Sequence, residues 1–540
     1  RTPNSAERRY QKTLSKNFTL YADYKKNFND RHDLSVMVGT SHESENYDRF
    51  TAKRINFDQQ ENMSLQLGSA QDQNAWSEGN QWTINSFFSR VNYTFANKYV
   101  IEGTIRADGS SRFDPDHRWG WFPGVNAAWR VGEEGFMKRL GWFEDLKVRA
   151  SYGEMGNQSG IGLYDYIQLI SLSNDYYPFG AGVKGQMATS GNIISTSRTW
   201  ETIQTTNVGF DFSTLNNRLY GSFDYFWKEN KNMLIPKTYP SMLGADAPST
   251  NSGHLSIHGW EISLGWRDQI KDFSYSVRFN ISDAKNKVVD RVGSNLIKLG
   301  NNETPTGYPL NSYFGYEFDG IIQNEQELEA YKSRFSEGGI PGDLSVGDAM
   351  YKDLDGDGKL SVLGDGKEGS GDVKYLGDKN PRYNFGFNLS MAWKGFDLSA
   401  FIQGVGRRTM FLEGESRCPM PEAWYQSAEY WYGKTWTPER TDAQYPAITL
   451  KDKRNYNYYV STNTKFNVAY ARLKNLQFGY TIPQTLTSKA GLQKVRVYFS
   501  GEDLFEVHNT PNGWDPEENS GSITSYPFTR NYSFGINVVF

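Results

Sequence analysis

Cysteine and long apolar runs are both scarce in this sequence. Cys418 is the only cysteine among 540 residues, so an intrachain disulfide and a thiolate metal cluster are excluded. No segment approaches the roughly 20 consecutive apolar residues that a transmembrane helix needs, which excludes a helical membrane protein. Charge of one sign is not in excess either, because 58 Lys and Arg stand against 62 Asp and Glu. That near balance predicts no nucleic-acid partner.

Recognisable catalytic motifs are missing as well. The sequence holds no GxSxG elbow, Walker loop or HExxH helix, and no carboxylate pair in a glycosidase context. His254 and His258 would lie on one face of a strand, yet roughly 13 Å apart at ~3.3 Å per residue, too far to share a metal. We therefore predict that the protein is not an enzyme and requires no cofactor.

Aromatic residues are abundant although the chain as a whole is polar. Tyr, Phe and Trp make up 15 % of the residues, while the mean hydropathy is -0.68. Many segments alternate apolar and polar residues with a period of two, as in FSYSVRFNIS (273–282) and HGWEISLGWR (258–267). Such strands have one apolar and one polar face. Aromatic residues near the strand ends are typical of the interfacial girdles of a membrane β-barrel.

Short and long connections separate these strands. Asn216-Asn217 and Lys394-Gly395 fit tight hairpin turns, and Trp266 is joined to Phe273 through RDQIKD. Long polar insertions span roughly 153–199, 283–379 and 406–464. Short turns on one side and long loops on the other are typical of outer-membrane barrels. We predict an all-β transmembrane antiparallel β-barrel, with short periplasmic turns, long extracellular loops and about fifteen strands in this chain.

The last strand of the chain closely resembles the terminal strand of outer-membrane barrels. One face of its last ten residues is apolar and ends on an aromatic residue. That face, predicted as the terminal assembly strand in contact with outer-membrane lipid, consists of Tyr532, Phe534, Ile536, Val538 and Phe540.

Several sequence blocks occur in a characteristic order. DGSSRF (108–113) is followed by FPGVNAAWR (122–130), and then come LKVRASYGEMGN (146–157), NPRYNFGFNLSMAWKGF (380–396) and ARLKNLQFGYTIP (471–483). These blocks resemble the SusC/RagA family of TonB-dependent outer-membrane transporters, whose most recognisable block is the first pair. The resemblance covers most of the chain.

The resemblance implies a barrel of 22 strands with an N-terminal plug, located in the outer membrane of a Gram-negative, Bacteroidetes-type bacterium. It implies TonB-dependent import of a large oligosaccharide or peptide under a SusD-like lipoprotein lid. Residues 1–540 are then the C-terminal part of the barrel, and the plug and the TonB-interacting region are expected upstream of Arg1. A passive porin or adhesin-type barrel, and a soluble glycan-binding β protein, remain as alternatives.

One acidic segment has a metal-binding pattern. Asp353, Asp355 and Asp357, with the backbone carbonyl of Lys359, match the first half of an EF-hand-type calcium loop. Gly364 stands where that loop has its bidentate Glu, so a solvated acidic turn is the alternative. If calcium binds here, we expect it to order an extracellular loop.

Aromatic clusters in the long insertions are the candidates for contact with a substrate or a lid. Exposed aromatic rings stack on sugars or pack against a protein partner, whereas packing within the loop is the alternative. The candidate residues are Tyr176, Tyr177, Phe179, Trp424, Tyr425, Tyr430, Trp431 and Tyr432.

Overall fold

A computed structural model of the chain gives the fold. It describes residues 4–58, 61, 63–71, 73–179, 183–190, 193–236, 242, 248–291, 297–363, 371–421, 426–449, 453–518, 521, 526 and 528–540. Within these ranges, no helix is both long and apolar enough to cross a membrane.

Strands dominate the described residues. In chain order they are β1 (Ser5–Phe28), β2 (His32–Ile55), β3 (Gln73–Phe95), β4 (Tyr99–Ser110), β5 (Trp119–Trp129), β6 (Asp145–Asn157), β7 (Ile170–Phe179), β8 (Val183–Ser190), β9 (Glu201–Thr214), β10 (Leu219–Pro236), β11 (Ser249–Ile270), β12 (Phe273–Asp290), β13 (Gly300–Asn302), β14 (Ser312–Tyr316), β15 (Phe318–Ile321), β16 (Ala349–Tyr351), β17 (Val373–Asp378), β18 (Arg382–Trp393), β19 (Phe396–Arg407), β20 (Thr409–Phe411), β21 (Lys465–Asn467), β22 (Tyr470–Ile482), β23 (Lys494–His508) and β24 (Asn531–Val539). The helices are α1 (Gly135–Leu140), α2 (Glu325–Arg334), α3 (Lys453–Asn457) and α4 (Gln484–Thr487).

Fifteen of the strands form one antiparallel sheet, in the order β1-β2-β3-β4-β5-β6-β9-β10-β11-β12-β18-β19-β22-β23-β24. Neighbours in the sheet are therefore neighbours among its strands along the chain, as in an up-and-down barrel wall. The predicted fold class and the strand count of about fifteen are confirmed.

Tight turns join five alternate pairs of these strands, whereas β5 and β6 are joined by residues 130–144, which hold α1, and β22 and β23 by residues 483–493, which hold α4. Successive residues with positive φ occur in four of the tight turns: two at Asn29-Asp30, Ala96-Asn97 and Lys394-Gly395, and three at Leu215-Asn216-Asn217. Two left-handed residues in a row give the turn a twist that matches the right-handed twist of the flanking strands. The tight turns predicted at residues 216–217 and 394–395 are both confirmed.

The other strand ends carry the longer connections. These are residues 56–72, 111–118, 158–200, 237–248, 291–381, 408–469 and 509–530. β11 extends to Ile270 and β12 to Asp290, so these strands are longer and their turn is shorter than the alternation predicts. Polar residues such as Arg267 continue the ladder there, with the Arg267 backbone N–H donating to the Arg218 carbonyl at 2.9 Å.

The chain divides into two compact units. The first consists of Arg1–Trp129, Arg149–Thr206 and Lys228–His254, and the second of Arg130–Val148, Asn207–Trp227 and Leu255–Phe540.

In the first unit the DGSSRF block builds a small core at the ends of β4 and β5. Phe113 and Phe122 pack against Trp200 with ring centroids 5.1 and 5.6 Å away. The Trp200 indole donates to the Arg118 carbonyl at 2.8 Å, and Arg118 Nε donates to the Phe113 carbonyl at 3.1 Å. The block therefore fixes the connection between β4 and β5.

Candidate functional site

The described parts of the two longest connections, residues 291–381 and 408–469, hold helices, short strands and buried side chains within the second unit. In the first of them, α2 begins with a reciprocal cap. The Asn324 side chain accepts from the Glu327 backbone N–H at 2.9 Å, and the Glu327 carboxylate accepts from the Gln323 backbone N–H at 2.9 Å. The arrangement is like a capping box, except that the Glu327 carboxylate reaches the backbone N–H of the residue before the cap instead of that of the cap itself. The helix buries Leu328 and Tyr331.

Buried hydrogen bonds tie α2 to α3 and β16. The hydroxyls of Tyr331 and Tyr456 lie 2.6 Å apart, and the Tyr351 hydroxyl donates to the Tyr456 carbonyl at 2.8 Å. Asn457 Nδ2 donates to the Asp348 carboxylate at 2.9 Å. Because buried polar groups are costly unless they are paired, this network specifies how the two long connections dock on each other.

A second core joins the connection between β19 and β22 to the connection between β23 and β24. It joins residues that are far apart in sequence: Met410, Leu412, Cys418, Trp431, Tyr445, Tyr458, Val468 and Trp514. Tyr430 packs against this core, and its hydroxyl lies 2.6 Å from that of Tyr445. The Lys434 ammonium sits 3.6 Å from the centroid of the Tyr430 ring, and burial lowers the pKa of Lys434.

The predicted loop aromatics therefore differ in their surroundings. Trp431 is buried in the second core and Tyr430 packs on it, whereas Tyr432 is 89 % exposed. Tyr432 is the described ring in this segment that is open to a substrate or a lid. Two of the other predicted rings, Trp424 and Tyr425, lie outside the described residues. For Tyr176, Tyr177 and Phe179 the structure describes only the backbone, which belongs to β7.

The acidic segment forms a tight turn held by its own backbone. Asp353 Oδ1 and Oδ2 accept from the N–H groups of Gly356 and Gly358 at 2.7 and 3.0 Å. Asp357 Oδ1 accepts from the Lys359 N–H at 2.7 Å. The turn thus orders its carboxylates with local hydrogen bonds.

A third carboxylate joins the turn from outside the predicted motif. One oxygen each of Asp353, Asp355 and Asp372 lie within 4.8 Å of one another. Asp372 accepts from the backbone N–H groups of Leu354 and Ser361 at 2.6 and 2.8 Å. Burial raises the pKa of Asp372, and the charges of Asp355 and Asp353 add to that increase.

This cluster has the chemistry of a hard-cation site. Each of its oxygens keeps a second lone pair beside any backbone hydrogen bond it accepts, and carboxylate oxygens are the ligands that Ca²⁺ prefers. Of the predicted ligands, Asp353 and Asp355 belong to the cluster, whereas Asp357 and Lys359 are not part of it as described. Asp372 was missed because it lies beyond residues 364–370, so no local spacing rule connects it to the motif.

A charged clamp holds the same connection nearby. The Glu317 carboxylate accepts from the Lys352 ammonium at 2.7 Å and also from that of Lys374. These two lysine partners lower the pKa of Glu317 to about 2. The clamp links the segment before β15 to the segment after β16 and to β17.

The predicted terminal strand forms the last strand of the sheet. β24 pairs with β23 in the register Phe534↔Phe499 and Ile536↔Val497. All five predicted side chains are exposed, and Phe534 is 83 % exposed. The strand thus presents a continuous apolar face.

The comparisons with known proteins agree with this architecture. Residues 1–504 match the family described as "TonB dependent receptor-like, beta-barrel". TonB-dependent receptor P3 of Formosa agariphila is 31 % identical, over 98 % of this chain and 52 % of the relative. TonB-dependent receptor SusC of Bacteroides thetaiotaomicron is 27 % identical, over 98 % of this chain and 50 % of the relative.

A solved structure has the same fold. The RagAB peptide importer in its "open-open" state superposes with a TM-score of 0.81 at 24 % identity, over 99 % of this chain and 56 % of that chain. The chain thus spans about half the length of the relatives that it matches. SusC and RagAB are thus among the proteins that the chain is similar to, and the chain belongs to the TonB dependent receptor-like β-barrel family of outer-membrane proteins.

Proposed function

We propose that this chain forms the wall and outer loops of a transporter that imports an oligosaccharide or a peptide across the outer membrane. The match of residues 1–504 to the receptor barrel family carries the proposal. The fifteen-stranded sheet supplies a wall, and the ordered long connections supply a binding surface. The protein acts as a transporter rather than as an enzyme.

Import of this kind requires energy and a partner. We propose that TonB coupling is supplied by a plug and a TonB-interacting segment N-terminal to this chain, since the chain spans about half of its relatives' length. A SusD-like lipoprotein would cover the outer loops, where exposed Tyr432 offers a contact. The apolar face of β24 would contact outer-membrane lipid.

Co-purification tests the partner. The full-length protein, tagged and extracted from its native outer membrane, should retain a SusD-like lipoprotein that mass spectrometry identifies. A second outer-membrane barrel of similar abundance, tagged in the same way, serves as the control. A full-length protein that repeatedly emerges without a lipoprotein would contradict the proposed lid.

We also propose that the Asp353–Asp355–Asp372 cluster binds a structural calcium ion. The convergence of the three carboxylates within 4.8 Å supports this proposal. Calcium would neutralise the repulsion among them and fix the connection between β16 and β17. Calorimetric titration of the purified protein with Ca²⁺, with Mg²⁺ for comparison, tests it, and absence of heat with both ions would contradict it.

A further inference from the structure

A basic cavity lies where the connection before β18 folds back on the sheet in the second unit. Its volume is about 390 Å³, near the lower end of the roughly 300–1,000 Å³ typical of small-ligand sites. The ends of β12 and β19 that lead into the long connections supply one wall, and residues 375–382 supply another. The cavity therefore suits one or two small units of a larger cargo.

The charge of the lining is strongly positive. Among the lining residues the structure describes, five are Lys or Arg and only one, Asp378, is acidic. The Asp378 carboxylate already accepts from the Tyr375 hydroxyl at 2.7 Å and from the Asn380 backbone N–H at 3.0 Å. Its negative charge offsets part of the charge of Arg382, and the lining as a whole remains net positive, with five cations against one carboxylate.

Two of the five cations are fixed parts of the wall. Arg382 makes a bidentate ion pair with the buried carboxylate of Asp283. Arg408 donates to the carbonyls of Pro516 and Glu518 at 2.8 and 2.7 Å. These contacts hold the two guanidinium groups in place and reduce their availability to a ligand.

Lys287 and Arg407 differ from these wall residues. Within the part of the chain that the structure describes, neither side chain makes a hydrogen bond or an ion pair, and both are exposed. The electrostatic potential near Arg407 is positive, as neighbouring Lys465 indicates. Burial lowers the pKa of Lys465, and the charges of Arg407 and Lys374 lower it further. Lys285, the fifth cation, interacts with the charge of the Asp283 carboxylate, whereas Lys287 and Arg407 offer an anion two cations that need not break an existing contact.

Two amide side chains add a neutral donor and acceptor. Asn286 Oδ1 accepts from the Leu310 backbone N–H at 2.7 Å, which leaves the Asn286 NH₂ group available. Asn380 Nδ2 donates to the Leu310 carbonyl at 2.9 Å, which leaves the Asn380 Oδ1 available. A donor and an acceptor beside each other match the hydroxyl groups of a sugar, because each hydroxyl both donates and accepts.

We infer that this cavity binds an acidic sugar unit, a uronate or a sulfated sugar, of the glycan that the transporter imports. The inference rests on the proposed import function and narrows its substrate class. The carboxylate or sulfate group lies against Lys287 and Arg407, and the ring hydroxyls contact Asn286 and Asn380. An acidic peptide would use the two cations through its side chain and would have to reach the amide pair with its backbone N–H and C=O groups, and the peptide pair below tests that occupant.

Matched ligand pairs test the inference on the full-length purified protein by isothermal titration calorimetry. The probes are a galacturonate hexamer and its methyl ester, and a sulfated galactan hexamer and its desulfated form. At least one acidic member should bind ten-fold or more tightly than its neutral counterpart, and the pair that does so distinguishes a carboxylate from a sulfate. Equal affinity within both pairs, or no binding to any of the four, would overturn the inference.

Charge-removing variants locate the effect. Lys287→Met combined with Arg407→Met should reduce the acidic preference to less than two-fold, while the affinity for the neutral glycan stays unchanged. The matched control removes one lysine and one arginine at exposed positions away from the cavity, Lys394→Met with Arg139→Met, and should keep the preference. An unchanged preference in the cavity variant would overturn the assignment of the site.

A peptide pair separates this inference from the proposed function. A glutamate-containing octapeptide that is preferred ten-fold over its glutamine counterpart, with no response to either acidic glycan, would overturn the sugar assignment and leave import standing. Cells that show no TonB-dependent uptake, while the purified protein still binds the acidic glycan more tightly than its neutral counterpart, would refute the proposed function. That result would leave the binding site standing.

Discussion

The buried guanidinium of Arg472 is expected to be the most sensitive single charge in the second unit. Its side chain on β22 is 1 % exposed. It pairs with Glu506, Asp515 and Glu517 at 2.8, 2.7 and 3.0 Å. Its guanidinium carbon also lies 4.2 Å from the centroid of the Phe528 ring. Arg472 therefore joins β22 to β23 and to the connection 509–530.

Replacing Arg472 by Met should be strongly destabilising. The change leaves three carboxylates close together without their shared cation, and breaking a buried ion pair by removing one partner costs about 3–5 kcal/mol. At an unfolding entropy of about 2.1 cal/mol/K per residue, that cost corresponds to a Tm decrease of about 3–4 °C if the 540 residues unfold as one unit, and to about half of that in a full-length protein of twice the length that unfolds as one unit.

Arg530 provides a matched control. It pairs with the same Glu506 carboxylate at 3.3 Å, but its side chain is 44 % exposed. Exposed pairs contribute about 0–1 kcal/mol, so Arg530→Met should lower the Tm by less than about 1 °C on the same scale.

Differential scanning fluorimetry of the full-length protein in detergent compares the variants. If lost charge compensation is the cause, Asp515→Asn and Glu517→Gln should restore part of the Tm when combined with Arg472→Met. The reasoning is refuted if Arg472→Met is no more destabilising than Arg530→Met, or if the neutral partners restore nothing.

Three further predictions follow from the long connections. Calcium should raise the Tm of the full-length protein in a thermal melt, and Asp372→Asn should abolish that increase because it removes one of the three converging carboxylates. The pKa of Glu317 is lowered from 4.5 to about 2, so its clamp stabilises the fold fully above about pH 4.5 and is lost as the pH falls toward 2. Glu317→Gln should therefore flatten the loss of Tm over that range, and a curve with an unchanged slope would contradict the clamp. Trp431→Ala should cost about 3–5 kcal/mol because it leaves a cavity in the second core, whereas Tyr432→Ala should change stability by less than about 0.5 kcal/mol and weaken retention of the lipoprotein in a pull-down. Equal stability of these two variants would contradict the difference in burial.

The sheet was largely predictable from the sequence because its signals are local. The alternation of apolar and polar residues predicted the strands, and the dipeptides Asn216-Asn217 and Lys394-Gly395 predicted two of the turns. Strand ends were less accessible, as β11 illustrates. Its apolar alternation stops at Trp266, yet the ladder continues to Ile270, because backbone pairing does not require apolar side chains.

The site residues depended on contacts that no local pattern encodes. Trp431 is buried because Tyr445, Tyr458 and Trp514 converge on it from distant segments. Tyr432, the next residue in the sequence, is not part of this core and is exposed. Asp372 is held beside the acidic turn by the backbone N–H groups of Leu354 and Ser361, which lie 18 and 11 positions earlier in the sequence.

Energy-dependent uptake is the most direct test of the central claim that this chain belongs to an active importer. A fluorescent derivative of the glycan or peptide that binds the purified protein should accumulate in wild-type cells. Accumulation should fall to background in an isogenic strain without TonB, while the amount of the barrel in the outer membrane stays the same. Uptake that is equal in both strains would contradict active import and would favour a passive pore.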